Sequence, residues 1–202
     1  MHPPTPAMKR VTDAAGNRFA DLSYDEVSLS DIANDLGIRK ASIYSHVESK
    51  QALFLTVLDE AFQVEAAFAQ QCFDSESASS LPGMHYCESL PKRYGESMHM
   101  RFLLRNAYLP PKSLSTRVSS SYEDYLQRLL EAFISQLRQR SATALTEQDF
   151  SQFGDAYLGI IDSLHVELIY VGAQRFEHRL RALQRLLSAG LELAEKVREE
   201  IK

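Results

Sequence analysis

From Lys112 to Arg140, apolar side chains return at the spacing of a single helix face: Leu114, Val118, Tyr122, Tyr125, Leu126, Leu129, Leu130, Phe133, Ile134 and Leu137. A stripe of that length fits a long amphipathic helix. A strand cannot use it, because strand side chains alternate with a period of two. Residues 8–22 repeat the pattern with Val11, Ala14, Ala15, Phe19 and Leu22. Good helix formers recur throughout, and the 202 residues include only 8 Gly and 7 Pro. We therefore expect an all-α chain, long enough for one or two domains.

The breaks between stripes set the organisation. Ser23 to Val27 is polar. Ser28 then offers an N-cap hydroxyl, with Asp31 three residues on able to reach back to the exposed N–H groups. A short helix follows to about Leu36, and Gly37 stands where a helix end favours a left-handed residue. A second short helix is predicted over Arg39–Val47. Ser49 then caps a longer helix bearing Leu53, Phe54, Val57, Leu58, Ala61 and Phe62. Residues 74–83 (DSESASSLPG) read as a loop. The stretch 84–109 reads as helix interrupted by Pro91 and Gly95 and closed by Pro110 and Pro111. Thr146 caps a helix to about Val171, which Gly172 ends, and a last helix is predicted from about Arg175 to Glu200. The domain division expected is 1–54 and 55–202.

Several classes fall away. No run approaches the roughly 18 apolar residues of a membrane helix, and Met1 to Arg10 has no apolar secretory core. We expect a cytoplasmic protein with no membrane partner. Cys72 and Cys87 form no CxxC pair and match no zinc spacing. A reducing compartment suits them, with a disulfide between them left open. No nucleophile elbow, glycine-rich phosphate loop or HExxH occurs, so we expect neither an enzyme nor a cofactor or metal. Asp162 and His165 lie three apart on an apolar helix. They are the nearest approach to a base and its orienter; as ligand contacts, their alternative is an internal pair with Arg101 or Arg105.

Net charge is −5, which at first speaks against nucleic acid. Residues 1–50 hold six Lys/Arg against seven Asp/Glu, a net −1. What counts is where the charges face, because phosphate attraction is local at physiological salt. In Ser28–Lys50, SLSDIANDLGIRKASIYSHVESK, one face carries Leu29, Ile32, Ala33 and Leu36, and Ile38, Ile43 and Val47 turn inward from the next segment. Two short helices joined by a Gly-led turn make a helix-turn-helix, whose second helix can enter a major groove about 12 Å wide. Arg39, Lys40, Ala41 and Ser42 then occupy the turn that reaches base edges. Tyr44, His46 and Lys50 suit phosphate contacts, as does Ser28. Tyr44 can also pack on the first helix, His46 can be plain surface, and Lys50 can pair with Glu48.

This stretch resembles the DNA-binding domain of the TetR family of bacterial repressors. The matching residues are Phe19, Ser28, Asp31-Ile32-Ala33, Gly37-Ile38, Lys40-Ala41-Ser42-Ile43-Tyr44, His46, Ser49-Lys50 and Ala52-Leu53-Phe54. The resemblance covers about residues 8–54. It implies that Ser28, Lys40, Ala41, Ser42, Tyr44, His46 and Lys50 touch DNA. The sequence departs from the family at Ser23, where a glycine is usual and which Tyr24 follows. It departs again at Arg39, where a small polar residue is usual, and at Val47, where an aromatic often stands.

Residues 55–202 resemble the family's C-terminal domain only in helix count and length. That resemblance implies a small-molecule sensor and a homodimer. Candidate pocket residues are Tyr94, Met98, Phe102, Asn106, Tyr122, Tyr125, Asp162 and His165, for a modest apolar or aromatic ligand. Candidate dimer residues are Phe153, Tyr157, Ile161 and Leu164 on the penultimate helix, with Leu183, Leu187 and Leu191 on the last. Gly154, Gly159 and Gly190 would permit close helix approach. The expected function is a regulator of transcription that leaves a palindromic DNA operator when its ligand binds. The alternative is a helical ligand carrier that does not bind DNA.

Overall fold

The computed structural model describes residues 5–141, 145–171 and 173–201. Among these, the secondary structure is helical throughout. Helix α1 (Pro6–Asp21) starts where Thr5 Oγ1 accepts from Met8 N at 3.2 Å, with Pro6 in the first turn, where its missing N–H costs nothing. Helix α2 (Leu29–Asp35) opens on a reciprocal cap: Asp31 N donates to Ser28 Oγ at 3.2 Å, and Ser28 N donates to Asp31 Oδ2 at 3.0 Å. Gly37 follows with φ 64°, the left-handed conformation expected of it.

Helix α3 (Lys40–Tyr44) ends earlier than the expected Val47. The N–H groups of His46 and Val47 both donate to Ile43 O, at 2.9 and 3.0 Å, and the Ser45 hydroxyl donates to Ser42 O at 2.7 Å. The chain thus closes into a turn before a third helical turn can form. Helix α4 (Lys50–Asp74) is capped by Ser49, whose hydroxyl accepts from Ala52 N at 3.0 Å.

The interrupted stretch resolves into α5 (Met84–Glu96) and α6 (Met98–Tyr108). The break falls at Ser97 rather than at Pro91 or Gly95, both of which stay inside α5. Ser97 Oγ accepts from Met100 N at 3.2 Å and donates to the buried Glu65 carboxylate at 2.7 Å. A short 3-10 turn, Lys112–Leu114, leads into α7 (Ser115–Arg140). Helix α8 (Glu147–Tyr170) begins on a Thr146–Asp149 capping box, and α9 spans Ala173–Ile201. Gly172, expected to end α8, lies outside the described residues.

The chain gathers into two compact units, Met1–Glu65 with Glu96–Tyr122, and Ala66–Gly95 with Glu123–Lys202. In the first, α1 packs on α6 around an aromatic cluster. Phe19 meets Phe54 edge-on at 5.2 Å, and Phe54 meets Phe102 at 5.2 Å, all three fully buried. Asn106 closes this cluster, its amide donating to Phe102 O at 2.8 Å and to Phe19 O at 3.5 Å. In the second unit α8 packs along α9. Tyr157 stacks on Phe133 at 4.3 Å and donates its hydroxyl to Gly83 O at 3.1 Å, while Tyr86 and Tyr125 share a hydrogen bond of 2.6 Å. Glu76 folds the 75–83 loop back: its carboxylate accepts from Gly83 N at 2.7 Å and His85 N at 2.8 Å, at the start of α5. Cys72 and Cys87 are free thiols, both buried.

Candidate nucleic-acid interface

The outward surface of α2–α3 follows from one buried residue. Within α3 only Ile43 is buried, held against a core that includes Phe19, Ile32, Ala33 and Phe54. With Ile43 turned inward, a five-residue helix must present everything else to solvent. Arg39, Lys40, Ala41, Ser42, Tyr44 and His46 are all exposed, as is Ser28 at the head of α2. Tyr44 is 51% exposed. Arg39 is the N-cap of α3 and makes no side-chain capping bond, so its guanidinium is not tied to the helix it opens.

The acidic residues of the region are largely engaged. Asp35 receives a two-pronged bond from Arg18, at 2.6 and 2.7 Å, which holds its carboxyl below the usual range. Asp31 is likewise held low by the Ser28 hydroxyl and N–H, and Glu26 by those of Ser23. Asp13 pairs with Lys9 along α1, and Asp21 lies 3.9 Å from Arg101. The near-neutral count of residues 1–50 therefore hides an asymmetry. Arg39 and Lys40 lead an exposed face, while Asp35 is paired with Arg18 and Asp31 caps α2.

Lys50 departs from expectation. Its ammonium does not stand out from the surface beside Glu48. It donates to Tyr24 O at 2.8 Å and Val27 O at 3.1 Å, and lies 4.1 Å from the Tyr24 ring centroid. Tyr24, which follows the serine that replaces a usual glycine, and the lysine expected to touch DNA thus bind each other, a pairing that spacing along the chain does not announce.

The expected pocket residues are not gathered within one unit. Met98, Phe102, Asn106 and Tyr122 belong to the first unit, and Tyr94, Tyr125, Asp162 and His165 to the second. Phe102 and Asn106 serve the aromatic core, and Tyr122 meets Tyr108 at 6.0 Å between rings. Tyr125 is bonded to Tyr86. His165 is fully buried, and burial pushes its imidazole down to about 3, so it is neutral. Glu167, two residues on, went unnoticed in the sequence: it is buried and bound by Arg179 at 2.5 Å, with Arg175 at 3.9 Å. An apolar helix face with arginines on the next helix could have signalled it.

The expected dimer residues lie mostly in the interior. Tyr157, Ile161, Leu164, Leu187 and Leu191 are buried within their own subunit, and Phe153 and Leu183 are half-buried. Gly154 faces Leu130 and Ile134 of α7, and Gly190 faces the Phe153 ring; of the three glycines, Gly159 alone has open space beside it. The exposed apolar residues are others: Val166 and Tyr170 on α8, and Leu186, Leu193 and Val197 on α9. Among the described residues no helix is long and apolar enough to cross a membrane, and no group of His, Cys, Asp and Glu could hold a metal.

Solved structures share this fold. A transcriptional regulator from Saccharomonospora viridis in complex with choline superposes with a TM-score of 0.67 at 17% identity, over 90% of this chain and 95% of that one. A TetR transcriptional regulator from Legionella pneumophila gives 0.68 at 16% identity, over 94% and 99%. AibR, in complex with isovaleryl coenzyme A and operator DNA, gives 0.63 at 16% identity, over 89% and 96%. No curated protein sequence matches the chain. Residues 11–57, which hold most of α1, all of α2 and α3 and the start of α4, match the bacterial regulatory proteins of the tetR family. The chain is thus similar to the tetR family over its helix-turn-helix segment, residues 11–57, and shares its fold with the structures above.

Proposed function

We propose that the chain is a homodimeric repressor that binds a palindromic operator through α3 and releases it when a small apolar or aromatic molecule binds the second unit. The observation that carries the DNA-binding half is the exposed face of α3, where only Ile43 is buried. Arg39, Lys40, Ala41 and Ser42 are the base-reading residues, and Ser28, Tyr44 and His46 the backbone contacts. A five-residue reading helix covers one half-site, so useful affinity needs two, separated by about 34–36 Å. The exposed apolar residues of α8 and α9 support a second copy as the partner that supplies the other. Leu186, Leu193 and Val197 fall at i, i+7 and i+11, one stripe of α9.

For the sensor, the second unit offers an apolar interior with a few polar groups, Tyr86, Tyr125, Tyr157 and His165, the mixture small-molecule sites use. The choline and isovaleryl coenzyme A bound by two proteins of like fold support a ligand-responsive regulator. Coupling between ligand and DNA would be about 1–3 kcal/mol.

The test is binding to duplexes enriched from a random pool by repeated selection on the wild-type protein. Lys40→Ala and Tyr44→Ala should each weaken retention, and the logarithm of the binding constant should fall steeply with the logarithm of salt, by about 0.9 per phosphate neutralised. A flat salt response, or unchanged binding by both variants, would refute the reading.

A further inference from the structure

We propose that Lys50 is a positioning residue for the reading helices, fastening the α1–α2 loop to the start of α4, and not a phosphate contact. The inference rests on the DNA-binding reading above and assigns one residue within it a different task.

A lysine ammonium has three donors and no acceptor. Two are spent on Tyr24 O and Val27 O, at 2.8 and 3.1 Å, carbonyls 26 and 23 residues away in sequence. The charge also rests 4.1 Å from the face of the Tyr24 ring, a favourable place for a cation. Tyr24 is itself anchored, 5.3 Å from Phe54 edge-on and 6.0 Å from Phe19. The lysine therefore sits between the loop backbone above and the aromatic core below. Its stem is half-buried rather than extended into solvent.

The loop so held runs directly into α2. Val27, whose carbonyl is one of the two acceptors for the Lys50 ammonium, is 1% exposed and immediately precedes Ser28, the N-cap of α2. Ser23 and Glu26 close the other end of the loop on itself, with the Ser23 N–H and hydroxyl both donating to the Glu26 carboxylate. Because α2 packs on α3, the placement of the loop sets the placement of the face that carries Arg39 to Ser42. Moving the ammonium to a phosphate would strip two carbonyls of a charged donor and uncover the Tyr24 ring. A phosphate contact would thus compete with bonds already made.

Two kinds of lysine differ in their salt dependence. A phosphate contact releases a counterion, so its loss makes the salt slope shallower by about 0.9; a positioning residue leaves the slope alone. The experiment measures binding of wild type, Lys50→Met and Tyr24→Leu to the enriched duplex from 50 to 200 mM salt, with folding checked by circular dichroism. Lys50→Met should lose affinity by about tenfold, the effect of one charge-assisted hydrogen bond, with the slope unchanged within about 0.3. Tyr24→Leu keeps the charge and removes the ring, and should also lose affinity at unchanged slope. It serves as the deciding variant if Lys50→Met does not fold. A slope shallower by about 1.8 in Lys50→Met, about 0.9 for each of the two subunits, would overturn the proposal while leaving the DNA reading intact, as would tighter binding or a steeper slope in Tyr24→Leu. A flat wild-type response would overturn both.

Discussion

Gly83 offers the sharpest quantitative test of the second unit. Its φ is +75°, in the left-handed region, and an added Cβ would lie 2.5 Å from Tyr157 Cζ and Oη. Two costs follow from Gly83→Ala. A Cβ in left-handed backbone costs about 1–2 kcal/mol. The overlap with a packed ring adds about 1–3 kcal/mol. The tyrosine cannot swing away cheaply, because its ring stacks on Phe133 with 7° between planes and its hydroxyl donates to the carbonyl of Gly83 itself. The total expected is about 3–5 kcal/mol once weakening of that hydrogen bond is included. Gly37→Ala is the internal control: its φ of +64° carries the conformational cost, yet nothing lies within 4 Å of its added Cβ. Urea unfolding followed by circular dichroism and by tyrosine fluorescence, usable because the chain has no Trp, gives both values. In a Tyr157→Leu background the Gly83→Ala penalty should shrink toward that of Gly37→Ala, a coupling a double-mutant cycle reads directly. Equal costs for the two glycine variants in the wild-type background would refute the steric argument.

Burial holds His165 neutral, at about 3 in the folded chain, while the unfolded chain protonates near 6.5. The native state therefore keeps full stability above that value and loses about 1.4 kcal/mol for each pH unit below it, until about pH 3. Urea midpoints at pH 7.0 and 5.5 should differ in the wild type and much less in His165→Gln; equal differences would sink the assignment. Cys87 is pushed up to about 12 and Cys72 is also raised, both by burial, so neither should react with a thiol reagent at pH 8 until the protein unfolds. Fast release of one equivalent from native protein would count against this packing. Ser28→Ala should cost about 1 kcal/mol through the lost cap of α2, and in carboxyl NMR titrations Asp31 should move up toward its ordinary range. Leu186→Glu with Leu193→Glu should convert a dimer to monomer in sedimentation, and a dimer that persists would place the interface elsewhere.

Much of the fold was legible because helix periodicity and capping chemistry are local. The caps at Ser28, Ser49 and Thr146 act within three residues of themselves, and the left-handed turn at Gly37 needs only its own backbone. What failed was what depends on remote partners. The break between α5 and α6 falls at Ser97 because that hydroxyl also reaches Glu65, 32 residues earlier. Pro91, the stronger local signal, is absorbed into α5. Helix α3 stops short for a local reason, a turn onto Ile43 O, but periodicity kept running through Val47 because that side chain is buried even though its backbone is not helical.

The candidate site divides along the same line. Exposure of Arg39 to Ser42 could be read forward, since burying Ile43 on so short a helix leaves the rest outside. The fate of Lys50 could not, because the Tyr24 and Val27 carbonyls are backbone groups whose position no side-chain pattern reports. The long helices show the limit most clearly. Leu186 and Leu187 are neighbours with identical side chains, about 100° apart around α9. Leu187 is 5% exposed and Leu186 70%. A helix apolar on more than one side has two stripes competing for the interior, and the choice is made by the partner helix, here α8 with its Phe153 ring against Gly190. The stripe that loses that competition leaves Leu186, Leu193 and Val197 exposed, apolar surface that water disfavours and a second copy can cover. The residues best suited to dimer formation are for that reason those the subunit's own core did not take.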